Sequence, residues 1–242
     1  MTRPPPLFFI CMGRIIENIK DIPRQAYTWL VTRAEALAKK VSSWWQRYNE
    51  KLERLRSHEK YVKEVLDSDV EYELEDVDIQ LTKRLKSVVD SLEDGKLLES
   101  LKHMTFTQRK DYFESVLFPI VVKEMGISTK FLGWSSDNAT IAGLYNFAAG
   151  GIMLNELYIA TDNDLLLKFL INTVVHECRH AMQHEAARGI DTHGCSAGLI
   201  EQWRRNIEDY IQPEEDDEAY YKQIMEWDAR LFAEKVYSPD NL

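Results

Sequence analysis

The chain has 242 residues, 45% of them apolar, and a formal charge of −10 at neutral pH. That length holds one large domain, or a helical part beside a smaller catalytic part. The acidic balance argues against nucleic acid or an anionic membrane as the main partner, because both favour basic patches.

The amino terminus reads MTRPPPLFFICMGRIIENIK. Its apolar run spans about six residues behind prolines, short for a secretory signal core. No run of ~18 apolar residues exists, so no transmembrane helix is expected. The cysteines are Cys11, Cys178 and Cys195. An odd number without a Cys-x-x-Cys pair does not make a disulfide framework and points to a reducing compartment. A cytoplasmic protein is the expectation. The sequon Asn138-Ala139-Thr140 has no meaning without a secretory route.

From about residue 14 to 100 there are few breakers and many charges. Trp29, Ala34, Leu37, Val41, Trp44, Trp45 and Tyr48 recur at helical spacing. Two or three helices are expected, ending near Gly95. The Trp44-Trp45 pair reads as helix packing rather than a binding surface. The stretch TFTQRKDYFESVLFPIVVKEMG predicts a helix capped by Thr105 or Thr107 and closed by Gly126, with Pro119 kinking or splitting it.

Charges then thin out. Strand-like runs at Thr140–Phe147 and Ile152–Ile159 flank Gly150-Gly151, a hairpin signal. A short strand over Lys130–Trp134 would complete a small antiparallel sheet. A long helix follows, started by Thr161 or Asp162 and ended by Gly189. Two more cover roughly Gly198–Ile211 and Asp217–Val236. The fold class is α+β and mainly helical. An N-terminal helical region over 1–100 is expected to precede a catalytic domain over 101–242.

The long helix contains His176-Glu177-Cys178-Arg179-His180. Positions i and i+4 share a helix face, so both imidazoles can point at one ion. Glu177 beside them can act as general base on a water at that ion. This is the His-Glu-x-x-His pattern of zinc sites. A catalytic zinc site needs a third protein ligand. His184 would lie about 12 Å along the helix from His176, too far to share the ion. The preferred candidate is Glu226 in AYYKQIMEWDARLFAEKV, where small residues at 229 and 233 allow close helix approach. His193, Asp191 and Glu234 stay open as alternatives. For a donor to the developing oxyanion, Tyr210, Tyr220, Tyr221 and His193 are available, with Tyr221 and His193 preferred. Cys178 faces away from the histidines. Trp134, Trp203 and Trp227 read as core aromatics, and His58 and His103 as surface residues.

HECRHAMQHE followed by EWDARLFA resembles the zincin metallopeptidases of the gluzincin type, in the style of small bacterial and phage-like ones. The resemblance covers roughly Thr105 to Val236. It implies a zincin-like domain with His176, His180 and Glu226 as Zn2+ ligands and Glu177 as base. It also implies that GGIMLNELYI is the edge strand beside the site, along which an extended peptide or protein substrate pairs by β-augmentation. One departure stands out. Many members carry an aspartate a few residues after the ligand glutamate, orienting a ligand histidine. Here Asp228 is at i+2, about 200° round the helix, placed to pair with Arg179 or an N-terminal helix.

The leading expectation is therefore a zinc-dependent endopeptidase with no nucleic-acid or membrane partner. A toxin or effector protease with a delivery or inhibitory N-terminal region is the second reading. A non-catalytic metal-binding scaffold is the third. The carboxylate of Glu177 beside the metal position separates the third from the others, since a structural site does not need it.

Overall fold

The computed structural model describes residues 32, 33, 35–40, 42, 43, 46 and 50, then 72–136, 141–160, 162–212 and 215–239. Cys11, Trp44, Trp45, His58 and the 138–140 sequon lie outside the described residues. The chain divides into two compact units, Met1–Tyr61 and Val62–Leu242. The described positions of the first are helical. The boundary therefore falls well before residue 100. Residues 72–100 belong to the second unit, where Leu81, Leu85 and Val89 are core. No helix among the described residues is long and apolar enough to cross a membrane.

The second unit opens with α1 (Asp76–Ser91). A short 3-10 turn with Gly95 in the left-handed region ends it, and α2 (Leu97–His103) follows. The helix α3 (Phe106–Tyr112) starts at Thr105, whose side chain accepts from Gln108 N–H while Gln108 accepts from Thr105 N–H. This is a reciprocal capping box. Pro119 splits the predicted helix as expected. It has no N–H to donate, and the chain passes through a π turn (Phe113–Leu117) before α4 (Phe118–Met125), with the proline in its first turn. Gly126 closes α4 with φ 69°.

The sheet contains β1 (Lys130–Ser135), β2 (Gly143–Asn146) and β3 (Gly151–Asn155) in the order β1-β3-β2. β2 and β3 form the predicted hairpin. β1 pairs with β3 in parallel, so the sheet is mixed rather than antiparallel. The physical reason lies in β3, whose Gly151, Ile152, Leu154 and Asn155 are buried. Such a strand needs both edges covered, and β1 takes the edge that β2 leaves free. Ser135 pairs with Asn155 and Gly143 with Leu154, so β1 ends and β2 begins at the same end of β3. Gly151 sits in the closest approach: a Cβ there would lie 2.6 Å from the Lys130 carbonyl oxygen. The run expected to continue β3 to Ile159 instead turns into α5 (Glu156–Ile159), because the Asn155 side chain accepts from Leu157 N–H and caps it.

At the centre is α6 (Asp164–Ala187), started by Asn163 accepting from Leu166 N–H, not by Thr161 or Asp162. Leu167, Leu170, Ile171, Val174, Val175 and Cys178 on it have no exposure. The sheet packs on one side of α6. On other sides lie α7 (Ala197–Glu208) and the last helix. The expected final helix is two: α8 (Asp217–Lys222) and α9 (Ile224–Val236), separated by Gln223 in extended conformation. Ala229 and Ala233 of α9 are fully buried, allowing the close approach to α6 that their small size predicts.

Candidate metal centre

His176 and His180 lie one turn apart on α6, and Glu226 projects from the first turn of α9. The two imidazole Nε2 atoms are 3.0 Å apart. Glu226 Oε2 is 3.4 Å from His176 Nε2, and Glu226 Oε1 is 3.2 Å from His180 Nε2. Four ligands arranged tetrahedrally at zinc distances have mutual separations of about 3.3 Å. Each imidazole nitrogen thus stands at about that separation from the other and from one oxygen of Glu226, and one ligand atom from each of the three residues lies within 4.8 Å of the others. Glu226 Oε2 is buried and makes no hydrogen bond, an arrangement that costs free energy unless a cation answers it. The donor set, two imidazoles and a carboxylate, suits zinc without being specific to it.

Charge is balanced locally. Burial works against a charge on His180, but the Glu226 carboxylate overrides it and raises the imidazole to about 9. Burial likewise opposes ionisation of Glu226, and the two imidazoles hold its carboxyl well below the usual range.

Glu177 is 7% exposed and accepts from the Tyr145 backbone N–H of β2 at 2.7 Å. It lies within electrostatic range of His180, Tyr210 and Tyr220. Gly143 of β2 makes that approach possible. A Cβ there would lie 2.6 Å from Thr173 Cγ2 and 3.2 Å from Glu177 Cγ. The strand beside the site is therefore β2, an edge strand. The GGIMLNELYI run expected in that place forms the central strand instead, because its apolar residues need cover on both sides. Leu144 and Phe147 at β2 are more than half exposed. The Phe147 ring stacks on His184 at 5.6 Å, and Tyr145 packs against the same imidazole.

The hydroxyl beside the triad belongs to Tyr210, at the end of α7, which donates to Glu226 Oε1. Tyr220 hydrogen bonds to Tyr210 in turn. Burial first, and the Glu226 charge second, push both phenols up. Tyr221 instead places its ring 4.5 Å from the Arg230 guanidinium. His193 lies in the loop after α6, with Nε2 3.0 Å from Glu185 Oε2, and Glu185 also accepts from Ser128 N–H. Glu185 is eight residues beyond Glu177, about 12 Å along the helix. His193 is thereby engaged in bracing a loop. Asp191 and Glu234 are exposed and outside the triad.

Asp228 pairs with Arg179, as its position round the helix allows. Arg179 and Asp78 complete a buried ion cluster at 2.6 Å, and Tyr72 donates to Asp228 at 2.7 Å. Asp228 still reaches a ligand histidine, through Gln183. Gln183 Nε2 donates to Asp228 Oδ2 at 2.6 Å, and Gln183 Oε1 is 2.8 Å from His180 Nδ1. Spacing carried a signal for Gln183, three residues after His180 on the same face. Tyr210 was among the available hydroxyls with nothing to prefer it over Tyr221, and the Tyr145 N–H had no signal, because tertiary packing brings both in.

No protein-family model, curated protein or solved structure matches this chain.

Proposed function

We propose that the chain is a zinc-dependent endopeptidase, with His176, His180 and Glu226 holding the ion. The observation that carries the reading is the convergence of those three groups beside a carboxylate tied to an edge strand. An ion held there supplies a Lewis acid that polarises a carbonyl and makes water more acidic.

The protein's own groups divide the remaining work. The Tyr145 N–H holds one oxygen of Glu177, orienting the carboxylate and leaving its other oxygen to take a proton. Glu177 removes that proton from the attacking water and returns it to the leaving amine as the peptide bond breaks. Tyr210 has a single O–H, donated to Glu226; turned from Glu226 toward the carbonyl, it would supply the donor to the negative charge that develops, with Tyr220 hydrogen-bonded behind it. It takes the place of Tyr221 and His193 in that role. The outer edge of β2, apart from the Tyr145 N–H that Glu177 takes, suits an extended peptide, whose backbone would pair with the strand. Leu144 and Phe147 there offer apolar contacts to its side chains.

The test compares zinc per chain and cleavage of an internally quenched peptide library for wild type, Glu226→Ala and Glu177→Gln. About one zinc per wild-type chain, lost only in Glu226→Ala, is expected. Glu177→Gln keeps the metal and loses about 10²- to 10⁴-fold in cleavage. Wild type that takes up no zinc, or Glu177→Gln that cleaves at the wild-type rate, refutes the reading.

A further inference from the structure

We propose that Gln183, itself held by Asp228, is the positioning residue that turns the His180 Nε2 lone pair toward the triad. The inference rests on the metal reading of that triad for its consequence, though not for its geometry.

Gln183 has no exposure. Its Nε2 lies 2.6 Å from Asp228 Oδ2 and 3.0 Å from the Met225 carbonyl oxygen. Both neighbours only accept hydrogen bonds, so the amide nitrogen has to occupy that end. The amide oxygen is thereby committed to the other end, 2.8 Å from His180 Nδ1. An amide oxygen accepts and cannot donate, so His180 Nδ1 carries a hydrogen. The opposite nitrogen, Nε2, is the one facing His176 and Glu226.

An amide with one free end can flip; this one cannot, because Asp228 is itself committed. Its Oδ1 accepts from Tyr72 O–H at 2.7 Å and Arg179 Nη2 at 3.0 Å. Its Oδ2 accepts from Arg179 Nε at 2.7 Å and from Gln183. Arg179 in turn binds both oxygens of Asp78 on α1, at 2.6 and 2.9 Å. The orientation of one imidazole on α6 is thus set from α1 and α9 through groups that reach no solvent. Outer partners of this kind fix the ring and its tautomer in metal sites.

The experiment uses the full chain with 15N-labelled histidine. It reads the exchange-protected His180 Nδ1–H resonance in metal-free and zinc-loaded protein, and zinc affinity by competition with a chromophoric chelator. Wild type is expected to show the resonance in both states. Gln183→Leu loses it and binds zinc about 10- to 100-fold more weakly. Gln183→Glu keeps an oxygen facing His180 Nδ1, and its protonated second oxygen can donate to Asp228, so it retains both readouts. Loss in Gln183→Leu with retention in Gln183→Glu is the pattern that a purely space-filling role does not produce. If Gln183→Leu does not fold, the wild-type resonance and Gln183→Glu decide alone. Wild type without the protected resonance overturns the proposal, as does a folded Gln183→Leu with unchanged zinc affinity. Failure of the metal reading looks different: a wild-type chain that takes up no zinc yet shows the resonance supports the Gln183 contact and overturns the ion.

Discussion

Replacing Arg179 by methionine tests the centre of the second unit most severely. Arg179, Asp78 and Asp228 have no exposed surface, and four hydrogen bonds of 2.6–3.0 Å join the guanidinium to the two carboxylates. The guanidinium also lies 5.1 Å from the Trp203 ring and 4.7 Å from the Phe232 ring. Removing one partner of a buried ion pair costs about 3–5 kcal/mol. Here two carboxylates lose their counter-charge at once, so the upper figure applies, about 5 kcal/mol. For a unit of this size that lowers the melting temperature by about 10–20 °C. The assay is urea and thermal unfolding of the full chain by circular dichroism, at pH 7 and at lower pH. Burial already raises Asp78, with Arg179 pulling it back. Without Arg179 the folded chain holds the Asp78 proton more tightly than the unfolded chain does. The cost is then greatest above the folded value and shrinks as pH falls toward the unfolded one. Replacing all three residues together, Arg179→Met, Asp78→Leu and Asp228→Leu, should recover most of the loss, since an apolar cluster of similar volume substitutes well for buried ions. A single Arg179→Met variant within about 1 kcal/mol of wild type would refute the claim that this cluster is dry and closed.

Gly143→Ala should destabilise by about 1–3 kcal/mol through overpacking and lower peptidase activity without loss of zinc. The new Cβ meets Thr173 Cγ2 at 2.6 Å, with Leu154 Cδ2 and Glu177 Cγ next at 3.1 and 3.2 Å, so adding Thr173→Ser, which deletes the nearest methyl, should recover part of the activity; no recovery would count against β2 as the strand that orients Glu177. Tyr210→Phe removes a hydrogen bond to the Glu226 carboxylate, worth about 1.5–3 kcal/mol in denaturant titration of metal-free protein. Burial first, then the charges of His180 and Arg188, lower His184 from 6.5 to about 4. The unfolded chain therefore binds a proton in that window that the folded chain does not, and stability falls as pH drops from 6.5 to 4. His184→Phe should flatten that slope by up to about 1.4 kcal/mol per pH unit, reduced by the partial exposure of the ring. An unchanged slope would place His184 in water.

Local signals carried much of the fold. Thr105 with Gln108, Gly126 and Pro119 act within one or two turns, so cap, stop and break were legible at their own positions. The spacing of His176 and His180 was equally local, because an α-helix places i and i+4 on one face whatever surrounds it. Ala229 and Ala233 announced a close helix crossing, and with it the face from which Glu226 projects. What stayed illegible depended on which surfaces meet. The parallel pairing of β1 with β3 follows from how deeply β3 is buried, and burial depth is a property of the assembled layers. The same cause moved the edge-strand role from the GGIMLNELYI run to β2. Tyr221 and Tyr210 are alike in sequence. Only the packing of α7, α8 and α9 puts one hydroxyl on Glu226 and the other ring against Arg230. His193 was close in sequence and well suited chemically, yet Glu185 on its own helix turn reached it first. Asp228 was readable as the partner of Arg179, whereas its path to His180 through Gln183 needed α6 and α9 in place. The sequence alone therefore determined the chemical groups and their positions along each helix, since helical geometry is intrinsic to the chain. Tertiary structure decided most of the meetings between buried polar atoms, because most must find a partner among segments far apart in sequence.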